Sequence, residues 1–279
     1  MAYFRLGRLQ KHLIHHQYIY VGSLCFGVVE IIYRASNMGG NKMNNGKIGK
    51  GKLTGLILAA LMCTGGYYIS PAHAEDVTVA AGDTFDYVYN GEATADFPTG
   101  TGTQSGHTAI INGTVSGSVH GGYSSDGAAS NNTVTIGDSS STSTVTVGTV
   151  YGGQGATEAS NNTVTIQGDV VFSGSWDSVY GGSAFAFDAE WNPIPGIANN
   201  NTINILSAIS IPGALEGGQS EGGTSTGNTL NISASGVTVG SEGLRAFQNL
   251  NFYLPNNITT SDTMLTVNGT ADVTNAKIG

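Results

Sequence analysis

The chain has 279 residues, of which 42 are glycine and only 10% are charged, with 10 Lys and Arg against 19 Asp and Glu for a formal net charge of −9 at pH 7. An acidic balance argues against nucleic acid as a partner, because that binding rests on Lys and Arg neutralising phosphates. The two cysteines, Cys25 and Cys63, exclude a disulfide-dense scaffold.

Residues 1–42 are a basic, His-bearing extension. The apolar run Tyr18–Tyr33, about 16 residues long with Glu30 inside, is short of the roughly 20 that a membrane-spanning helix needs. His12, His15 and His16 lack the Cys or carboxylate company of a metal site and read as members of a basic flank. Initiation at Met43 or Met38 explains this part, with an unusually long targeting extension as the alternative. Residues 43–74 have the grammar of a secretory signal peptide. Lys47, Lys50 and Lys52 supply the positive start, Leu53–Ile69 the apolar core, and Ala72-His73-Ala74 the A-x-A site, with cleavage after Ala74. Cys63 follows Ala60-Leu61-Met62, which lacks the small residue expected ahead of a lipidated cysteine.

Cleavage changes the composition. No thiol remains, so stability has to come from repetition rather than covalent staples. Arg245 and Lys277 are the remaining cations against eighteen acids, a formal charge of −16. That suits a surface that repels its neighbours.

Residues 75–110 are expected to form the first strands or a polar cap, since Val77 and Val79 alternate with polar residues and Ala81-Gly82-Asp83 reads as a turn. Asp83 and Asp86 sit three apart, with no His or Arg nearby, and read as a solvated pair rather than an acid/base site.

Residues 111–279 are built on a recurring phrase. It reads VHGGYSSDGAASNNTVTI at Val119–Ile136 and VYGGQGATEASNNTVTI at Val150–Ile166. A copy with a long insertion spans Val179–Ile205, and a worn copy, LEGGQSEGGTSTGNTLNI, spans Leu215–Ile232. The glycine pairs are Gly121-Gly122, Gly152-Gly153, Gly181-Gly182 and Gly217-Gly218, a period of roughly 30 residues. Such a period marks stacked units, each covering its neighbour's open face. The asparagines recur as Asn131-Asn132, Asn161-Asn162 and Asn200-Asn201, with Asn228 alone in the worn copy. Each leads into a strand whose β-branched residues alternate, Val164 and Ile166 against Thr163 and Thr165 in the second copy. The glycines are expected to supply positive φ at a sharp corner, and the asparagines to hydrogen-bond in a ladder from copy to copy. The residues before the glycine pairs, His120, Tyr151, Tyr180 and Glu216, place aromatics where they can stack between units.

The third copy carries Ala184–Ala198 where the others have eight or nine small residues. Phe185, Phe187 and Trp191 within it are unusual for this chain. Such insertions map to loops on one face, and two readings follow: an exposed contact loop, or a loop folded over the solenoid side. The glycine runs match neither a phosphate-binding loop nor a calcium nonapeptide, where Thr157 stands in place of the required Asp. No cofactor is implied. From Ser233 the chain alternates through Leu250, Phe252 and Leu254 and stops in mid-pattern, which reads as truncation.

The signal peptide, the V-Y-G-G…N-N-T-V-T-I units and the segment Phe247–Pro255 together resemble the passenger region of bacterial autotransporter adhesins, over Met43 to the end. The resemblance implies an all-β right-handed parallel β-helix (a β-solenoid), displayed at the cell surface or secreted by a diderm bacterium. It implies adhesion or surface structure without catalysis, an unidentified surface ligand, self-association, and a separate outer-membrane β-barrel translocator that this sequence does not contain. It carries over no catalytic residue. The competing readings are a carbohydrate-active β-helix enzyme, for which two remaining cations favour a hydrolase with paired Asp over a lyase, and a non-functional fragment of a larger autotransporter.

Overall fold

A computed structural model describes residues 76–279 apart from Pro98 and Ala189. The extension, the signal peptide and the Ala72/Ala74 cleavage site lie outside the described residues. The described chain is all-β and winds into a β-solenoid of about seven turns. Its long wall is an 8-stranded sheet, in which Asp76–Val79, Thr108–Ile111, Thr133–Ile136, Thr163–Ile166, Thr202–Ile205, Thr229–Ile232, Asn249–Phe252 and Lys277–Ile278 follow one another. Every pairing in this wall is parallel, as between Thr163–Ile166 and Thr202–Ile205.

The alternation of T-V-T-I decides which side of the wall faces inward. Residues paired across tiers stand directly above one another, so Val79, Ile111, Ile136, Ile166, Ile205 and Ile232 form one fully buried column. Ala109, Val134, Val164, Ile203 and Leu230 form the next. A second wall faces these, with Val88, Val119, Val150, Val179, Leu215 and Leu244 in register from tier to tier. Each such side chain contributes about 1.5–3 kcal/mol through removal from water. One tier holds too few of them to fold alone. Threonines and asparagines occupy the outer side of the long wall. There Asn204 Nδ2 donates to Thr165 Oγ1 (3.2 Å), Asn231 Nδ2 to Asn204 Oδ1 (2.8 Å) and Asn251 Nδ2 to Asn231 Oδ1 (2.9 Å).

Residues 76–110 contain strands of both walls. Asp76–Val79 and Thr84–Tyr89 are already the first rungs of the two walls. Glu92–Thr94 then returns antiparallel on Thr84–Tyr89, at the outer edge of the second wall. Asp83 and Asp86 are each engaged by a different neighbour. The Asp83 carboxylate accepts from the Ala80 N–H at 3.1 Å, and Asp86 accepts from Ser116 Oγ at 2.8 Å.

The glycine pairs play a different part from the one expected of them. None of Gly121, Gly122, Gly152, Gly153, Gly181, Gly182, Gly217 or Gly218 has a positive φ. They are glycine because there is no room for a side chain. A Cβ on Gly152 would press into the Gly181 carbonyl of the next tier and stand 2.9 Å from Asn162 Cβ. A Cβ on Gly153 would meet the Ala129 carbonyl and, at 2.8 Å, Asn162 Nδ2. Positive φ falls on the first asparagine of each pair instead: 61° at Asn131, 58° at Asn161 and 57° at Asn200, with Gly227 at 72° in the fourth copy. Asparagine tolerates this region better than most residues.

The second asparagine of each pair turns inward into the space the glycines vacate. Asn132, Asn162, Asn201 and Asn228 are at most 1% exposed. The Asn132 N–H donates to Asn162 Oδ1 (2.9 Å), the Asn162 N–H to Asn201 Oδ1 (2.9 Å) and the Asn201 N–H to Asn228 Oδ1 (2.8 Å). Each Nδ2 donates to the same neighbouring oxygen at 3.2 Å. The ladder continues past the recognisable repeats at both ends. The His107 N–H donates to Asn132 Oδ1 (3.0 Å), and the Asn228 N–H donates to Gln248 Oε1 (2.9 Å). A further tier over Gly243–Phe252 therefore uses Gln248 in place of asparagine.

Candidate functional site

Two features stand out against the repetitive frame: a column of side chains along one corner, and the insertion of the third copy.

The column is set by register, since His120, Tyr151, Tyr180, Glu216 and Arg245 pair in succession on the second wall. The His120 and Tyr151 rings stack at 4.7 Å and 5°, and those of Tyr151 and Tyr180 at 4.9 Å and 8°. Glu216 continues the column rather than ending it. Arg245 Nη2 lies 2.8 Å from Glu216 Oε2, a charge contact without the alignment of a hydrogen bond. The column is a structural seam with opposed pH linkages. His120 is 3% exposed, holds Ser118 Oγ at 2.7 Å through Nε2, and has no hydrogen-bond partner at Nδ1. Burial lowers its pKa from the ordinary 6.5 to about 3. The folded chain thus refuses a proton that the unfolded chain accepts, so this stability is complete above pH 6.5 and is lost as pH falls toward 3. Glu216 works the other way. Burial raises its pKa above the ordinary 4.5, with Arg245 opposing, so acidification through that raised value returns some stability. His120 has no counter-charge, and by itself it loses about 3 kcal/mol between pH 7 and pH 4, which the Glu216 gain opposes. Urea midpoints at pH 7 and pH 4 check this. His120→Tyr, which repeats the residue of the next tiers, should abolish most of the acid loss, whereas Glu216→Gln should deepen it.

The insertion, Ala184–Ala198, has a fixed stem and an open head. Ala184 and Ala198 are fully buried with Ala159 in a small cluster of their own. The Phe185 N–H donates to the Gly155 carbonyl (3.1 Å) and the Ile197 N–H to the Thr157 carbonyl (3.0 Å), which ties both ends to the preceding tier. Between them Ala186–Phe187 and Pro193–Ile194 pair antiparallel as a hairpin. Asp188 shapes its tip. Its carboxylate accepts from the Glu190 N–H (3.0 Å), the Asn192 N–H (2.8 Å) and Asn192 Nδ2 (3.0 Å), and these bonds hold its pKa below the usual aspartate value. Trp191 sits at φ 64°, in the left-handed region. That costs a residue of this size on the order of 1–3 kcal/mol, and such strain clusters at functional sites.

The three aromatic residues singled out by sequence come together here. Phe185 and Phe187 meet edge to face at 4.8 Å, and Phe187 and Trp191 lie 6.0 Å apart. All three are exposed, Trp191 to 80%. Ile194 and Ile197 are exposed beside them in the same insertion. The sequence reading overlooked Trp176, which is 68% exposed in a second, smaller insertion. Its signal was a length difference between copies: Val147 and Val150 are joined by the two residues Gly148 and Thr149, whereas their partners Phe172 and Val179 are joined by the six residues Ser173–Ser178.

Compared with protein-family models, curated proteins and solved structures, the chain has no significant match to any of them.

Proposed function

We propose that the chain is an exported β-solenoid passenger of the autotransporter type, displayed on or released from the outer surface of a diderm bacterium, and that it adheres through the hairpin of its third copy. The single observation that carries this reading is a cluster of exposed rings on a stem held by buried alanines. A soluble protein gains nothing for its own stability by holding a tryptophan 80% exposed in a strained backbone conformation. Rigid scaffolds that position variable loops are the common way for a fold of this kind to bind. The signal-peptide grammar of residues 43–74 and the charge of −16 on the remainder agree with export and with a surface that stays dispersed.

The test is expression in a diderm host followed by fractionation, surface protease shaving and a cell-binding assay. The reading requires the 76–279 portion outside the inner membrane, and binding that falls on Trp191→Ala. Because Trp191 contributes little burial, this substitution should shift the thermal midpoint by less than about 0.5 kcal/mol equivalent. A cytoplasmic, protease-inaccessible product would overturn the reading, as would adhesion untouched by deletion of residues 186–196.

A further inference from the structure

The charges around the hairpin narrow what it can hold. Asp188 and Glu190 lie within it. Glu158 of the preceding tier pairs in register with Ile197 at its root. Glu221 of the following tier adjoins Gly222, where a Cβ would stand 3.9 Å from the Pro195 ring. These acids thus belong to three successive tiers, whose strands are about 4.8 Å apart along the axis. Of the two cations among the described residues, Arg245 is held against Glu216 and Lys277 lies on the last strand of the long wall.

We infer that the hairpin binds an arginine-rich stretch of another polypeptide, with guanidinium groups stacked on Trp191 and Phe187 and paired with the carboxylates of adjacent tiers. This rests on the hairpin being the contact surface proposed above. A guanidinium is the one common group that both stacks on an aromatic face and meets a carboxylate with two parallel N–H donors. A neutral sugar would gain the stacking and nothing from the charge. A sulfated, phosphorylated or uronate polymer would be repelled. A single quaternary ammonium headgroup would meet one tier only, whereas a polycationic chain meets three. Pro193 and Pro195 carry no N–H on the second arm of the hairpin, so recognition runs through side chains rather than by adding a strand there.

The test is calorimetric titration of the full chain with nona-arginine, with nona-lysine, maltoheptaose and phosphatidylcholine vesicles as comparators, at low and at 0.3 M salt. Nona-arginine should bind tightest and weaken with salt. Trp191→Ala and, independently, Glu190→Gln should each weaken it about fivefold, the scale of one cation–π or charge contact. Glu92→Gln, an exposed acid on the first tier and outside the hairpin's tier and its two neighbours, should leave it unchanged. Thermal melts establish that the variants are folded. Equal loss from Glu92→Gln would reduce the effect to diffuse charge and overturn the inference, as would tighter binding of maltoheptaose or of the vesicles. Surface display with Trp191-dependent adhesion but no nona-arginine binding overturns the ligand class alone. Hairpin-dependent nona-arginine binding by a chain that stays in the cytoplasm overturns the display reading alone.

Discussion

Asn162→Ala should lower the unfolding free energy by about 3–5 kcal/mol, read as a fall in the urea midpoint. The residue is fully buried and works in both directions along the ladder. Its Oδ1 accepts the Asn132 N–H and Asn132 Nδ2, and its own Nδ2 donates to Asn201 Oδ1 and to the Ala129 carbonyl (3.1 Å). Alanine leaves the Asn132 N–H and the Ala129 carbonyl without these partners in a site closed to water, and each such group costs roughly 1–3 kcal/mol. Two comparisons locate the cause. Asn231→Ala, in the ladder on the outer side of the wall, should cost no more than about 1 kcal/mol, because water replaces the lost bonds. Asn161→Gly should stay within about 0.5 kcal/mol, since Asn161 is needed for its φ of 58° and glycine adopts that freely. If Asn162→Ala is as mild as Asn231→Ala, the buried ladder is not what joins the tiers.

Gly152→Ala should be at least as damaging, about 3 kcal/mol or more, with loss of folding as the extreme outcome. The added methyl has nowhere to move. Tier separation is set by the backbone bonds on either side, Gly152 N–H to the Tyr180 carbonyl (2.9 Å) and Gly121 N–H to the Tyr151 carbonyl (3.0 Å). Spreading the tiers to admit the methyl would break such bonds and shift Asn162. Gly152→Asn separates this account from a backbone-conformation account. If the glycine were there for positive φ, asparagine would be a mild replacement. Because the limit is space, asparagine should be worse than alanine. A folded Gly152→Asn protein with near-parental stability would overturn the close-approach argument.

The architecture was legible in the sequence because repetition states it many times over. The alternation of Thr163, Val164, Thr165 and Ile166 names the face each side chain takes, and the return of that pattern about 30 residues later names the neighbour it packs on. Stacking of the residues before the glycine pairs was equally readable, because side chains at equal positions in parallel in-register tiers must lie above one another. The reason for the glycine pairs was not. Glycine is selected both by torsion and by crowding, and the letters are the same in either case; only the position of the next tier's carbonyl distinguishes them. The tiers at the two ends were hidden too, since Gln248 and His107 take ladder positions through hydrogen bonds that a pattern of identical letters does not show.

The hairpin shows where the boundary falls. Its length, its aromatic content and its place in the third copy were written in the order of residues 184–198. That Phe185, Phe187 and Trp191 gather outside rather than lie along the wall was decided by three-dimensional constraints: the buried Ala184 and Ala198 stem, the antiparallel pairing of Ala186–Phe187 with Pro193–Ile194, and the Asp188 carboxylate closing the tip. Sequence alone determined the period, the inward and outward faces and the sign of the surface charge, because those depend on local alternation and composition. Only the tertiary structure decided which glycines are spacers, which asparagines bond inward and where the exposed rings meet, because each depends on the distance between residues that lie in different tiers.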